Sequence, residues 1–300
     1  MRPFGRFSAV VLAIYTVLVI APLVAFAVPA LREGVSPQVW GEPWRRATRT
    51  NLLRNSLEFS LLTATAATVI GVPLGYLLSR TDVPGRRALT ALCASPLFLP
   101  PFLWAKGWQM AFGAHGMTGM GGAVPVMTLA LFPIVPLLSG VGFSHIDPSL
   151  EDDARTLTGE VGVFRHVALP AARPLIAAAF LLVFIVALSE FGVPALMQVN
   201  AYPVAVFTAF SAFYDFGQAA ALCLPFLLAA AILAVTIHAA THETGVSSLA
   251  EDWEPRRIRL GRGRAAAASV ALLFLAGGLG PPVAAFLAQA SVGHLWEDVR

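Results

Sequence analysis

The chain has 300 residues, 57% of them hydrophobic and 12% charged, with a mean hydropathy of +0.73 and a formal net charge of +3. Soluble domains carry about 25% charged residues, so this composition excludes a water-soluble globular protein and points to an integral membrane protein. The basic residues are nearly all arginine and lie scattered, without the aromatic-interleaved basic patch of a nucleic-acid surface.

At the N-terminus, Arg2 and Arg6 precede an apolar run from Ser8 to about Pro29. That run is too long for a signal-peptide core, and no small-residue cleavage site followed by a polar mature domain comes after it. It reads as an uncleaved first span. A membrane helix needs roughly 20 apolar residues, and seven stretches qualify, at 8–29, 56–79, 89–111, 121–142, 174–196, 217–240 and 265–289. The expected fold is an all-α, polytopic membrane protein. The third and fourth stretches contain "SPLFLPPFLWAKGW" and "GMTGMGGAVPVM". Glycine and proline at this density are tolerated at membrane depth where neighbouring helices or a cavity satisfy the freed backbone groups, which predicts bent helices around a pathway. Cys93 and Cys223 sit in separate apolar runs, without CxxC or Cys/His metal spacing, and read as small core residues.

Arginine and lysine bias sets the expected orientation. With the N-terminus in the cytoplasm, the inner segments hold 13 arginines and the outer ones 6. Those outside cluster in the first loop, where Arg45, Arg46, Arg49 and Arg54 alternate with Trp40, Trp44 and Leu52 as in an interfacial amphipathic segment. In this topology 143–173 and 243–264 face the cytoplasm, while 197–216 and Trp296 lie outside.

The segment from Leu150 to Pro174, "LEDDARTLTGEVGVFRHVALPAARP", is the one long polar stretch between apolar runs. Asp147-Pro148 opens it as an N-cap followed by a first-turn proline. Glu151, Asp152 and Asp153 occupy the first turn, where the helix dipole favours acids. Leu150, Ala154 and Leu157 form an apolar stripe at helical spacing. Gly159 and Gly162 end or turn the helix, and a second short segment, "VFRHVALP", stops at Pro170. A preserved apolar stripe on a cytoplasmic helix-turn-helix wants a protein partner.

This segment resembles the EAA loop of bacterial ABC importer permeases, whose pattern is E-A-A, three residues, G, nine residues, I-x-L-P. Here Asp152-Asp153-Ala154, followed by Arg155, stand for E-A-A, and Val167-Ala168-Leu169-Pro170 stand for I-x-L-P. Asp153 replaces the first alanine, Thr158 occupies the glycine position with Gly159 just after it, and the turn is one residue short. "NSLEFSLLTATAATVIGVPLGYLLSR", from Asn55 to Arg80, resembles the family's second-span opening. "LSEFGVPALM" and "YDFGQAAALCLPFLLAAAIL" resemble its ferric-iron branch. The likeness covers about 50–240. It implies a six-span type I importer permease half spanning 1–242, with a coupling loop over 145–173. It further implies that Glu151, Asp152, Asp153, Ala154, Arg155, Gly159, Leu169 and Pro170 seat against a cytoplasmic ABC ATPase dimer. The implied setting is a bacterial inner membrane with an external substrate-binding protein.

Residues 262–296 echo the N-terminus: an arginine-bearing start, an aliphatic span, then Pro282, Phe286 and Trp296 where the first copy has Pro22, Phe26 and Trp40. Repeated halves are frequent in transporters, and the permeases of the ferric-iron branch are often two fused halves. The charged linker 243–264 therefore leads into 265–300 as the start of a truncated second half.

Lys106 and Glu190 fall inside expected spans, where charge is expensive and often functional; they are candidates for the translocation path, as partners or as a substrate contact, against a structural pair or snorkelling. Glu58 lies near a span end. His145 and His166 lack a second ligand at helical spacing and read as polar loop residues rather than metal ligands. No cofactor is expected. No GxxxxGK[ST] phosphate loop, HExxH or nucleophile–base set occurs, so ATP hydrolysis falls to a partner. The expected function is the permease subunit of a binding-protein-dependent ABC importer, with ferric iron as the first reading. Polyamine, thiamine, phosphonate or sulfate are alternatives within the class. An ion-coupled secondary transporter using Glu190 is the alternative outside it.

Overall fold

A computed structural model describes residues 47–113, 116–146, 148–214 and 257–289, with isolated helical positions between 14 and 21 and between 219 and 235. The expected spans 8–29 and 217–240, the first external loop and most of the linker lie largely outside the described residues. What is described is helical, with a single isolated parallel bridge between Thr81 and Ile258.

The apolar run 56–79 lies within α1, Ala47–Arg80. Pro73 sits inside it without ending it, because a helix is the conformation that satisfies the backbone within one segment in lipid. Its hydroxyls fold back onto the helix: Ser60 donates to the Ser56 carbonyl at 2.7 Å, and Ser79 to the Gly75 carbonyl at 2.7 Å.

The next two expected spans are each broken. α2, Arg86–Ala94, continues through a 3-10 turn at Ser95–Phe98, and α3, Pro101–Phe112, leaves it at 97°. The cause is Pro100-Pro101: a residue before proline is pushed out of the helical region, and Leu99 and Pro100 have ψ of 135° and 141°. α4, Gly119–Leu131, and α5, Ile134–Ser144, meet at 42° around Pro133. The bent helices expected from the glycine and proline content are therefore present.

After the polar helix α6, Pro148–Val163, come α7, Leu169–Ser189, α8, Gly192–Leu196, α9, Tyr202–Ser211, and α10, Gly263–Gln289. The expected continuous span 174–196 is thus interrupted at Glu190, whose backbone is extended. By length and composition, three of the described helices are able to cross a membrane, or up to five if each bent pair counts as one span. Val69, Val270, Leu273 and Leu287 are 67–71% exposed. Apolar side chains this open on such helices suit hydrocarbon rather than water. The chain is a multi-pass, all-α membrane protein.

The centre of the bundle is α1, α5 and α7. Ser60, Thr63, Ala64 and Ala67 of α1 are buried, as are Val135, Ser139 and Phe143 of α5 and Ala172, Ala179 and Val183 of α7. Small residues let membrane helices approach closely. At Gly75 a β-carbon would lie 3.0 Å from the Pro136 backbone, so this crossing requires glycine. α10 lies against α3 and α2: it buries Ala271, Leu275 and Leu279, and Phe274 meets Phe132, just after α4, edge-on at 5.5 Å between ring centres.

Candidate coupling surface

α1 ends in Arg80, and a basic residue in the last turn suits the negative end of the helix dipole. Arg80 is nevertheless fully buried, and its guanidinium donates to the carboxylate of Glu151 in the first turn of α6, itself 1% exposed. Nε and Nη1 of Arg80, Oε1 of Glu151 and the Tyr76 hydroxyl are buried too, with no hydrogen-bond partner among the described residues. The pair is thus surrounded by protein. Tyr76 packs edge-on against Phe143 of α5 and against Phe164 at 5.1 and 4.7 Å. Glu151, expected among the coupling residues, is thus buried here and ties the first turn of α6 to the end of α1. Arg80 was expected only as a cytoplasmic charge. Nothing in the sequence singles out Glu151 from Asp152 and Asp153 as the partner of Arg80.

The other acids of the segment face outward. Arg155 donates through Nη1 to Asp152 Oδ1 at 2.7 Å and through Nε to Glu160 Oε1 at 2.6 Å. The Glu160 hydrogen bond, with the carboxylates of Glu160, Asp152 and Glu151 beyond it, holds the Arg155 guanidinium above its ordinary pKa despite partial burial. Between these partners lies Gly159, with φ 67° and ψ −177°, a backbone region that is essentially glycine's alone. Arg155 therefore staples the two sides of a sharp kink. At the kink Leu157 and Val161 stand out, 84% and 72% exposed. Asp153 is exposed and Ala154 half-buried.

The second short segment does not stop at Pro170, as its sequence suggested. Phe164–Ala168 form a π turn that runs straight into α7, with Pro170 in the first turn of that helix. Leu169 and Pro170 are half-buried and Ala168 is buried. The sequence-expected residues thus divide. Asp152, Asp153, Ala154, Arg155 and Gly159 gather on one knuckle, while Glu151, Leu169 and Pro170 anchor it.

Lys106 and Glu190 are not brought together as an ion pair among the described residues. Lys106 is exposed on α3. Glu190 Oε1 accepts the Gly192 N–H at 2.8 Å and so caps α8. His145 and His166 bond backbone carbonyls of their own helices, at 2.8 and 3.0 Å. No group of three or more metal-ligating side chains occurs among the described residues.

No family model matches the chain. Over 152 residues it is 34% identical to the molybdate/tungstate transport system permease protein WtpB of Thermococcus kodakarensis, covering 50% of this chain and 61% of that one. The chain is a homologue of ABC transporter permeases. To the Fe(3+)-transport system permease protein FbpB 2 of Haemophilus influenzae it is 26% identical over 194 residues, 64% of this chain and 37% of that one. The chain spans about three fifths of the length of these molybdate or tungstate permease relatives. Two solved ABC importers share the fold. One is the inward-facing MetNI methionine ABC transporter, with TM-score 0.51, 17% identity, and 66% of this chain and 94% of that one covered. The other is a bacterial alginate ABC transporter in complex with its alginate-bound periplasmic protein, with TM-score 0.58, 12% identity, and 82% and 95% covered. Such permeases form the transport path and are not themselves enzymes.

Proposed function

We propose that this chain is the permease subunit of an ATP-driven, binding-protein-dependent importer, and that the Gly159 knuckle is the part its ATPase subunit grips. The observation that carries this reading is the pairing of an exposed apolar tip with a buried anchor. Leu157 and Val161 offer large exposed apolar side chains to a partner, and Arg80–Glu151 transmits their displacement to α1. Nucleotide-driven closure of an ATPase dimer would move the knuckle as a rigid unit, and the α1–α5–α7 core would follow in a two-state change of access. The test is copurification with the cognate ATPase. Ala154→Trp, or Leu157→Asp with Val161→Asp, should leave insertion and monodispersity intact while ATPase capture and ATP-dependent uptake fall at least tenfold. Unchanged capture and uptake in both variants would refute the docking role.

The sidedness proposed from the arginine bias places the knuckle in the cytoplasm. Asn55, near the start of α1, donates to the Asn200 carbonyl at 3.0 Å, and Arg80 at its end holds Glu151. At 1.5 Å per residue the two lie roughly 38 Å apart, about a bilayer's thickness. In inside-out vesicles a membrane-impermeant maleimide should label Leu157→Cys and not Asn200→Cys; in right-side-out vesicles the pattern should reverse. Labelling of both from one side would contradict this topology.

For the cargo, the stronger sequence likeness to a molybdate/tungstate permease favours a tetrahedral oxyanion. The longer matched stretch in the Fe(3+) permease, with the linker and the N-terminal echo in 262–296, favours ferric iron as the second reading. Uptake of molybdate against ferric iron by membranes carrying the complete transporter separates them. Either reading needs a second permease half, an ATPase dimer and an external binding protein as partners.

A further inference from the structure

On the membrane face that carries the knuckle, the turn between α1 and α2 meets a segment far away in sequence. The Ile258 N–H donates to the Arg80 carbonyl at 2.7 Å, the Asp82 N–H to the Ile258 carbonyl at 3.2 Å, and the Leu260 N–H to Asp82 Oδ1 at 2.8 Å. These three bonds hold residues 258–260 along 80–82, and they bring Arg257 to Arg86 and Arg87. The three arginines, with Thr81, Asp82 and Gly85, line an open cavity of about 430 Å³. No carboxylate forms an ion pair with any of the three among the described residues. The only acid on the wall among the described residues, Asp82, has one oxygen committed to Leu260. Like charges gathered by tertiary bonds repel one another unless an anion lies between them.

We infer that this cavity binds a phosphate-class oxyanion. Guanidinium groups are suited to such a ligand, since their planar forks match phosphate oxygens two at a time. The N-terminus of α2 adds to the field: it begins at Gly85, at φ 69°, and no side chain caps it, so its first N–H groups face the same turn. The turn follows α1, which is long and apolar enough to cross a membrane, and so lies at headgroup depth, where basic residues attract anionic phospholipid. A lipid phosphate and a free phosphate share this chemistry, and the experiment separates them. The inference is independent of the docking role proposed for the knuckle, because none of its residues belongs to that surface.

The full chain is purified and its retained phospholipid is measured by native mass spectrometry, after exchange into mixed micelles of phosphatidylglycerol and phosphatidylcholine. In parallel, thermal unfolding in lipid-free detergent is followed as inorganic phosphate is added. Arg86→Gln, Arg87→Gln and Arg257→Gln are compared singly with Arg262→Gln and Arg264→Gln, two arginines of the same face outside the cavity. Arg257 lies in an irregular segment, so its variant keeps the comparison available if changes at the start of α2 disturb folding. Each cavity variant should lose phosphatidylglycerol about fivefold, with phosphatidylcholine and the outer variants unaffected; this result identifies a lipid headgroup. Stabilisation by phosphate that the cavity variants lose and the outer ones keep also supports the site and identifies a free anion. Equal losses in cavity and outer variants, or no anion effect in either arm, would overturn it.

Discussion

Arg80→Ala should be among the most damaging single substitutions in this chain. It leaves the Glu151 carboxylate buried without its cation, and breaking a buried pair by removing one partner costs about 3–5 kcal/mol. Glu151→Ala should do comparable harm by stranding Arg80, which has no other ion-pair partner among the described residues. Replacing both together, Arg80→Met with Glu151→Leu, should recover most of the stability, since well-packed apolar substitutes for a buried pair are often neutral. The recovered protein should still differ in one respect. Without the charged peg, α6 is held only by packing, so its amides should exchange faster and uptake should stay low. Thermal melting in detergent, hydrogen exchange over 148–163 and uptake together check this. Melting temperatures for the single variants close to the parent's would contradict the buried pair.

Gly159→Pro should have the second largest effect. Proline fixes φ near −65°, whereas Gly159 stands at 67°, so the kink has to open. Gly159→Ala isolates the same cause in milder form. A β-carbon there would meet no atom within 4 Å, so any loss comes from the backbone alone, about 1–3 kcal/mol. The expected consequence is local. Arg155 no longer reaches both Asp152 and Glu160, exchange rises over 155–163, and the ATPase is captured several-fold less well, while insertion and the melting of the α1–α5–α7 core are unchanged. Gly263→Ala serves as the matched control, because that glycine also has open space around it but no left-handed backbone. Equal behaviour of the Gly159→Ala and Gly263→Ala variants would show that the kink carries no constraint.

Much of this was legible in the sequence, for identifiable reasons. Apolar runs of about 20 residues specify membrane helices because lipid leaves the backbone no other partner, and so 56–79 and 265–289 appear within α1 and α10. Pro100 and Pro101, inside one of the two stretches from which bent helices were expected, act through their own ring geometry; the bend between α4 and α5 falls at Pro133, beyond the glycine-rich stretch that suggested it. The pattern of acids, glycine and Leu-Pro after 147 marked the polar segment and the family to which the chain proved homologous. Three details were not legible in the sequence, one because its contact lies far off and two because local backbone geometry decided them. Glu151 was counted with its neighbours as an outward acid, but it lies 71 residues from the arginine that buries it. Glu190 was read as a charge inside a span, for the pathway or for structure; its carboxylate accepts the first N–H groups of α8, a local need that a hydropathy window does not register. Pro170 was expected to stop a helix, and the π turn before it makes it a first-turn residue. Periodicity and composition thus determined which segments are helical and membrane-bound, because those properties act within one turn of chain. Which charge is buried, which apolar tip stands free and which arginines converge on one cavity was decided only by the tertiary structure, because each depends on the partner that packing supplies.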